Sequence, residues 1–302
     1  MKQIGYILFA AVLLASCAET KYVPDGRYLL DKVKLTVDGK HDDVNTGKMK
    51  SYVRQQENVR WFSLFKLPLG VYSMSGRDST RWYNRLLKGM GEPPVLFDTL
   101  LARQTVGDLQ QMLYNQGYLE SKVELWTKTR GKKLSTTYKL YPGKAYTVGK
   151  LEYLIADSII NRELGLNDPA NWGLKPGSQF SVDDLDRERK RITKLLNDRG
   201  YYRFHKEFIS YEADTLGGDG KVNLRLTLNP NRTEEGEELL HTRYKVRSVN
   251  FESGAKDDSV IHLRRKVLAE STYIKEGGYY SGSDLQNTYN HFSRLGAVKY
   301  TN

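Results

Sequence analysis

Cysteine occurs once in 302 residues, at position 17. No disulfide can form within the chain, and a zinc site built on several thiolates is excluded with it. Histidine is nearly as scarce. His41, His205, His241, His262 and His291 stand far apart, without the H-x-x-x-H or H-E-x-x-H spacing that sets two imidazoles on one helix face. Acid is in deficit, with 36 Asp and Glu against 47 Lys and Arg, a net charge of +11. The basic residues are spread along the chain, with no zinc-finger spacing, aromatic RNA-binding motif or basic block, so nucleic acid is not an expected partner. The surplus suits an anionic membrane surface, acidic partners or plain solubility. The adjacent acids Asp42-Asp43, Asp183-Asp184 and Asp257-Asp258 fall at expected helix starts, where the helix dipole favours negative charge. Gly217-Gly218-Asp219-Gly220 falls in an expected hairpin loop, not between strand and helix, and does not read as a phosphate cradle. Nothing here reads as a catalytic residue, a metal ligand or a cofactor site, and the expectation is a protein that is not an enzyme.

Long apolar runs are missing too, apart from Ile4 to Leu14 behind Met1-Lys2-Gln3. A charged start, a short apolar core and small residues before a cleavage point describe a secretory signal. The run is shorter than the roughly 20 residues of a transmembrane helix. Leu14-Ala15-Ser16-Cys17 resembles the bacterial lipobox. That resemblance implies removal of residues 1–16, diacylation of Cys17, and an acylated tether over 17–26. The single acid in Ala18-Glu19-Thr20-Lys21 favours a protein anchored in the outer membrane and facing the periplasm.

What the chain does have is aromatic and apolar patterning: 21 Tyr, 9 Phe and 39% hydrophobic residues, enough for folded cores. Its length exceeds one domain of roughly 100–150 residues. Three segments share the spacing Tyr-x-Φ-x-x-Φ-x-Φ, with Φ apolar: Tyr28-Leu30-Val33-Leu35, Tyr146-Val148-Leu151-Tyr153 and Tyr244-Val246-Val249-Phe251. Period-2 alternation marks strands, and its break at one shared place predicts a bulge or bend. Later in each unit Phe97–Tyr118 aligns with Phe180–Tyr201 without gaps, and a shorter copy runs from Tyr280 to Gly296. Leu109, Met112 and Leu113 match Ile192, Leu195 and Leu196, one helix face. Asp98 and Ser181 sit at N-cap positions, and Gly117 and Gly200 follow the helix ends. The third face is Leu285, Thr288, Tyr289 and Phe292. Shorter helices are expected over about 45–56, 157–164 and 258–270, and hairpins follow each Gly-Tyr. Each unit reads β-α-α-β-β, an α+β fold of three-stranded mixed sheets, each covered by two helices.

Tandem β-α-α-β-β units in which Leu113-Tyr114-Asn115-Gln116-Gly117-Tyr118 and Leu196-Asn197-Asp198-Arg199-Gly200-Tyr201 close the second helix resemble POTRA domains. These are the periplasmic arms of BamA- and TamA-like outer-membrane assembly proteins and related secretion translocators. The lipobox, the stretch Thr20 to Leu30 and the segment Gly91-Glu92-Pro93-Pro94-Val95-Leu96-Phe97-Asp98 look like the lipid-anchored members found in Bacteroidetes. The expected division is 27–143 for repeat 1, 144–231 for repeat 2 and 232–302 for an incomplete repeat 3. Tyr141-Pro142-Gly143-Lys144 and the polar run from Asn229 to Glu238 serve as linkers. The resemblance also implies a C-terminal membrane barrel that these residues do not contain. A freestanding adaptor scaffolding another envelope complex is the alternative.

For such an arm the implied mechanism is binding, with an extended polypeptide adding to an open sheet edge through its backbone. Partners would be unfolded outer-membrane clients or a periplasmic accessory protein. The strands after each Gly-Tyr, 118–126 and 201–211, are the expected edges, with Tyr118, Val123, Leu125, Tyr201, Phe204 and Phe208 as their contact residues. Repeat 1 carries an aromatic and basic insert near 59–91, suited to a membrane surface or a barrel; the simpler expectation is a helical extension packed on the first domain. Five Asp-Ser/Thr sites, beginning at Asp78, Asp98, Asp157, Asp214 and Asp258, resemble the O-glycosylation sequon of that phylum, and equally suit helix caps.

Overall fold

The alternation that begins at Leu29 becomes a strand because a second alternating segment, far along the same unit, offers it a parallel partner. In the computed structural model β1 (Leu29–Val37) pairs in parallel with Lys133–Tyr141, and the chain between them supplies the helices that cover the sheet. The model describes residues 19–39, 41, 44–61, 66–76, 78, 80–215, 217–232, 234–252 and 263–295. The signal segment, Cys17 and the end of the third repeat lie outside them. Two compact units form, Met1–Ala145 and Tyr146–Asn302.

In the first unit the order after β1 is α1 (Thr46–Met49, continued by a 3-10 turn to Tyr52), α2 (Leu67–Met74), α3 (Trp82–Met90), α4 (Thr99–Asn115), β2 (Lys122–Arg130) and β3 (Lys133–Tyr141). β3 is central, parallel to β1 and antiparallel to β2. The expected irregularity is present, because the register with β3 slips between Leu30 and Lys32. Strict alternation along β3 sends Leu134, Thr136, Tyr138 and Leu140 inward. Tyr138 and Leu140 meet Leu109, Met112 and Leu113 of α4 and Met49 of α1 in one core. Asp98 caps α4 by accepting from the amides of Leu100 and Leu101.

The second unit repeats the plan. It runs β4 (Thr147–Ile155), α5 (Ser158–Leu164), α6 (Val182–Asn197), β5 (Ile209–Asp214) and β6 (Lys221–Leu228), with sheet order β4-β6-β5. β4 slips register between Val148 and Leu151, the counterpart of the first bulge. Ile192 and Leu196 of α6 are buried against Leu226 and Leu228 of β6, with Leu195 half-covered. Both units are therefore α+β, each a three-stranded mixed sheet covered by helices. The unit continues through β7 (Asn231–Arg232), β8 (Glu238–Leu239), α7 (Arg265–Glu270) and α8 (Gly282–Arg294).

The same hydrogen bonds recur at the three Tyr-x-Φ-x-x-Φ-x-Φ segments. The amides of Phe97, Phe180 and Tyr280 donate to the carbonyls of Tyr28, Tyr146 and Tyr244, at 2.8, 2.8 and 2.9 Å. The amides of Leu30, Val148 and Val246 donate to the carbonyls of Val95, Ser178 and Gly278, each at 2.8 Å. The residue after each of these aromatics, Asp98, Ser181 or Ser281, then opens the long helix. In the third copy the segment 244–251 meets no long strand among the described residues, only the bridge from Lys245 to Tyr279.

Several elements depart from expectation. The first hairpin turns tightly at Gly131-Lys132, because Lys128, Thr129 and Arg130 continue the ladder with β3. The polar run after Asn229 is no open linker: β7 and β8 form a small antiparallel hairpin there. The short helix expected over 45–56 closes at Tyr52, and of the one expected over 258–270, Arg265–Glu270 is helical while 258–262 lie outside the described residues.

Candidate functional site

A three-stranded sheet has two edges, and an edge matters for binding only if its outward N–H and C=O groups are free. In the first unit one edge is occupied. β1 receives Leu96 as an antiparallel bridge at Leu29. The amide of Val33 donates to Glu57 Oε2 at 2.6 Å, and Arg60 donates to the carbonyl of Asp31 at 2.7 Å. Lys66, buried with its ammonium 3.0 Å from Asp31 Oδ1, fastens the same stretch. Burial pushes the Lys66 ammonium below the usual lysine range, against the pull of Asp31. Burial also works to raise Asp31, but the bond from Lys66 and the charges of Lys66, Lys133 and Arg60 together hold its carboxyl below the usual range.

The opposite edge is β2. Among the described residues no strand pairs with its outer side. In an antiparallel pair every second residue turns its backbone groups away from the partner, so β2 offers a row of them. The second unit has the same asymmetry. Gln179 bridges β4 at Thr147, and Ser178 and Gly177 bond Val148, while the outer side of β5 pairs with no strand among the described residues.

The outer faces of the two sheets differ in charge. In the first, Lys32 and Lys34 of β1 stand with Lys128 and Arg130 of β2, and none of the four has a carboxylate partner among the described residues. Glu124 answers only Lys122, at 2.7 Å, and its carboxyl is held below the usual range by hydrogen bonds from Lys122 and Trp126. Trp126 lies in the middle of this face, 61% exposed. In the second sheet the charges answer one another: Arg225 reaches Glu152 and Glu212, each at 3.2 Å, and Lys150 reaches Glu152 at 2.6 Å. A strand joining β2 would enter a positive field with an aromatic platform, and one joining β5 would enter a neutralised one.

No protein-family model matches this chain, and no curated protein does. Solved structures do. The chain is similar to POTRA domains 3 to 5 of Haemophilus influenzae BamA, at 14% identity and a TM-score of 0.43, over 93% of this chain and 91% of that one. It is similar also to POTRA domains 1 to 3 of Omp85 from Anabaena, at 12% identity and a TM-score of 0.30, over 89% and 85%. The N-terminal domain of Omp85 from Thermosynechococcus elongatus matches at 12% and 0.28, over 90% and 88%.

The six contact residues expected from sequence divide. Val123 and Leu125 lie on β2, with side chains turned to the core and backbone on the edge. Tyr118, Tyr201, Phe204 and Phe208 lie on the helix-to-strand connections, before the strands begin. Tyr118, Tyr201 and Phe204 are fully buried, and Phe208 packs on the second core. The reason is the helix stop. Tyr118 and Tyr201 donate their amides back to the carbonyls of Leu113 and Leu196, at 3.0 and 3.1 Å, while Gly117 and Gly200 turn with φ of 90° and 103°. That turn is a Schellman closure, and it drives the next side chain inward. Burial, with Glu163 and Asp157 nearby, pushes the Tyr201 hydroxyl up to about 12.

One buried acid is prominent. Glu188 accepts from Arg191 at 2.6 and 2.7 Å, from the hydroxyl of Tyr153 at 2.9 Å and from the amide of Gly173 at 3.3 Å. Burial, then the Glu188 charge, raises the Tyr153 hydroxyl far above the usual tyrosine range. With its oxygens so engaged, this carboxylate ties the loop at Gly173 to α6. Among the described residues no group of three or more His, Cys, Asp or Glu side chains could hold a metal ion, and no helix is long and apolar enough to cross a membrane.

Proposed function

We propose that this chain is the periplasmic arm of an outer-membrane protein assembly or translocation factor, built from three POTRA-like repeats over 27–143, 144–231 and 232–302 and anchored by acylated Cys17. It binds and does no catalysis. Client or accessory polypeptides are captured in extended form, as added strands on β2 and β5. The observation that carries this reading is the asymmetry of both sheets, in which the chain itself covers one edge and leaves the other open. Val123 and Leu125 contribute through backbone groups, while Tyr118, Tyr201, Phe204 and Phe208 hold the edge strand in place from the core.

The test is capture of a labelled peptide of about ten alternating apolar and polar residues, the pattern of a barrel strand. Proline is placed singly at Thr127 and at Lys128. Neighbouring residues of an edge strand direct their N–H groups oppositely, so one of the two substitutions removes an outward donor and blocks the approaching strand. Anisotropy should show binding to that variant weakened by about tenfold, with its circular dichroism unchanged. Undiminished capture by both folded variants would remove β2 from the mechanism.

A further inference from the structure

The insert of the first unit is the one stretch whose shape the binding of strands does not explain. It packs as a helical extension: Leu69 of α2 is fully buried with Val23 and Leu29. α3 folds back on α2, and the amide of Glu92 donates to the carbonyl of Pro68 at 3.0 Å. The inner face of α3 is centred on a polar residue, with Leu87 and Lys88 half-buried. Asn84 is buried there, accepting from the amide of Gly76 and donating to the carbonyl of Asp78, both at 2.7 Å. The outer face is the apolar one. Trp82, Leu86 and Met90 recur at i, i+4 and i+8, and are 74%, 52% and 69% exposed. Met74, at the end of α2, is 72% exposed. Burying the polar side and baring the apolar one reverses the usual arrangement for a helix packed on a globular core.

Charge and tether indicate what covers it. The sequence from Arg81 to Met90 carries Arg81, Arg85 and Lys88 and no acid; Arg81 pairs with Asp78 at 3.5 Å, Lys88 is half-buried and Arg85 is exposed. The end of α2 also holds the start of the described chain. Lys21 donates to the carbonyls of Ser73 and Ser75 at 3.1 and 2.8 Å, and the ring of Tyr22 sits edge-on to Tyr72 at 5.4 Å. Lys21 follows Cys17 by four positions, a reach of about 14 Å at most. A lipid on Cys17 thus brings a bilayer surface to the insert, whatever the rest of the molecule does.

We propose that α3 is an interfacial membrane helix, lying on an anionic bilayer with Trp82, Leu86 and Met90 among the upper acyl carbons and Arg85 against phosphate headgroups. The proposal rests on anchoring at Cys17, and the experiment separates the two. The chain from Cys17 onward is coupled through its sole cysteine to a maleimide lipid in vesicles of phosphatidylcholine and phosphatidylglycerol, which supplies an anchor whether or not the cell does. Brominated acyl chains in the same vesicles should quench Trp82, read as the quenched fraction that disappears in Trp82→Phe. Leu86→Asp with Met90→Asp should abolish that quenching while leaving circular dichroism and thermal unfolding unchanged. Absence of Trp82 quenching in the anchored chain overturns the proposal, as does quenching that survives the double substitution. A stripe shielded in solution by a second copy, seen as a dimer that the double substitution dissociates, overturns it as well. The intact mass of cell-derived protein decides the anchor separately.

Discussion

Gly117 and Gly200 end equivalent helices in equivalent turns, and each has positive φ, where alanine carries a strain of about 1–2 kcal/mol. A Cβ at Gly200 would also press on Tyr279, 3.1 Å away, and on the carbonyl of Tyr244 at 3.4 Å. That carbonyl belongs to a tight joint, with Tyr244 donating its amide to Gly200 at 2.7 Å and Arg243 stacked over Tyr279 at 3.7 Å. Gly200→Ala should therefore lose about 1–3 kcal/mol in denaturant unfolding and should loosen α8 as read by hydrogen exchange. Asp198 makes a second tie to α8, accepting from the amide and hydroxyl of Ser283, both at 2.7 Å. Burial opposes ionisation there, but the bonds from Ser283 and Lys194 prevail and hold the carboxyl below its ordinary value of 3.8. A depressed carboxylate stabilises the fold fully above its unfolded value and loses that contribution as pH falls through the folded one. Acid titration of unfolding stability should thus show a fall below about pH 3.8 that is smaller in Asp198→Asn by the contribution of this carboxyl. The Gly-Tyr signature was legible in sequence as a helix stop. Where its tyrosine points was not, because an aromatic after a turn serves equally as a surface contact or a core plug until the Schellman bonds are in place.

At the scale of elements, the repeat order, both bulges and the long helices were readable because each rests on local periodicity. The covered edge was not. It depends on Glu57, Arg60, Lys66 and Leu96 reaching β1 from 24 to 67 positions away, and no pattern of period 2 or 3.6 encodes such a contact. The charge contrast between the sheets was equally hidden, since the chain-wide surplus of basic residues does not say which of them find partners. Its consequence is measurable. A strand-forming peptide with acidic residues on one face should bind a first-unit edge severalfold more tightly than its lysine counterpart, and the preference should shrink as ionic strength rises. Lys128→Glu with Arg130→Glu should reverse it. The same pair of peptides should show little preference at β5, where Arg225 already holds Glu152 and Glu212.

Across the whole molecule, the proposed anchor at Cys17, the basic surplus and the bare stripe on α3 fit one proposed setting, a chain working against an anionic bilayer. Replacing Cys17 with alanine should abolish incorporation of labelled palmitate and move the protein from the membrane fraction to the soluble one, as immunoblotting of the two fractions would show. Proteins held on a surface are crowded in two dimensions, and crowded sheets with bare edges tend to find one another. A sheet with two bare edges is divalent and can propagate without end, each copy exposing a new edge as it covers the last. With Leu96, Glu57 and their neighbours seated on β1, and Gln179 on β4, each sheet has one side without a strand partner among the described residues. Under the proposed mechanism such a unit would be a chain terminator: it would accept a single strand, and a mistaken pairing of two copies would stop at the pair.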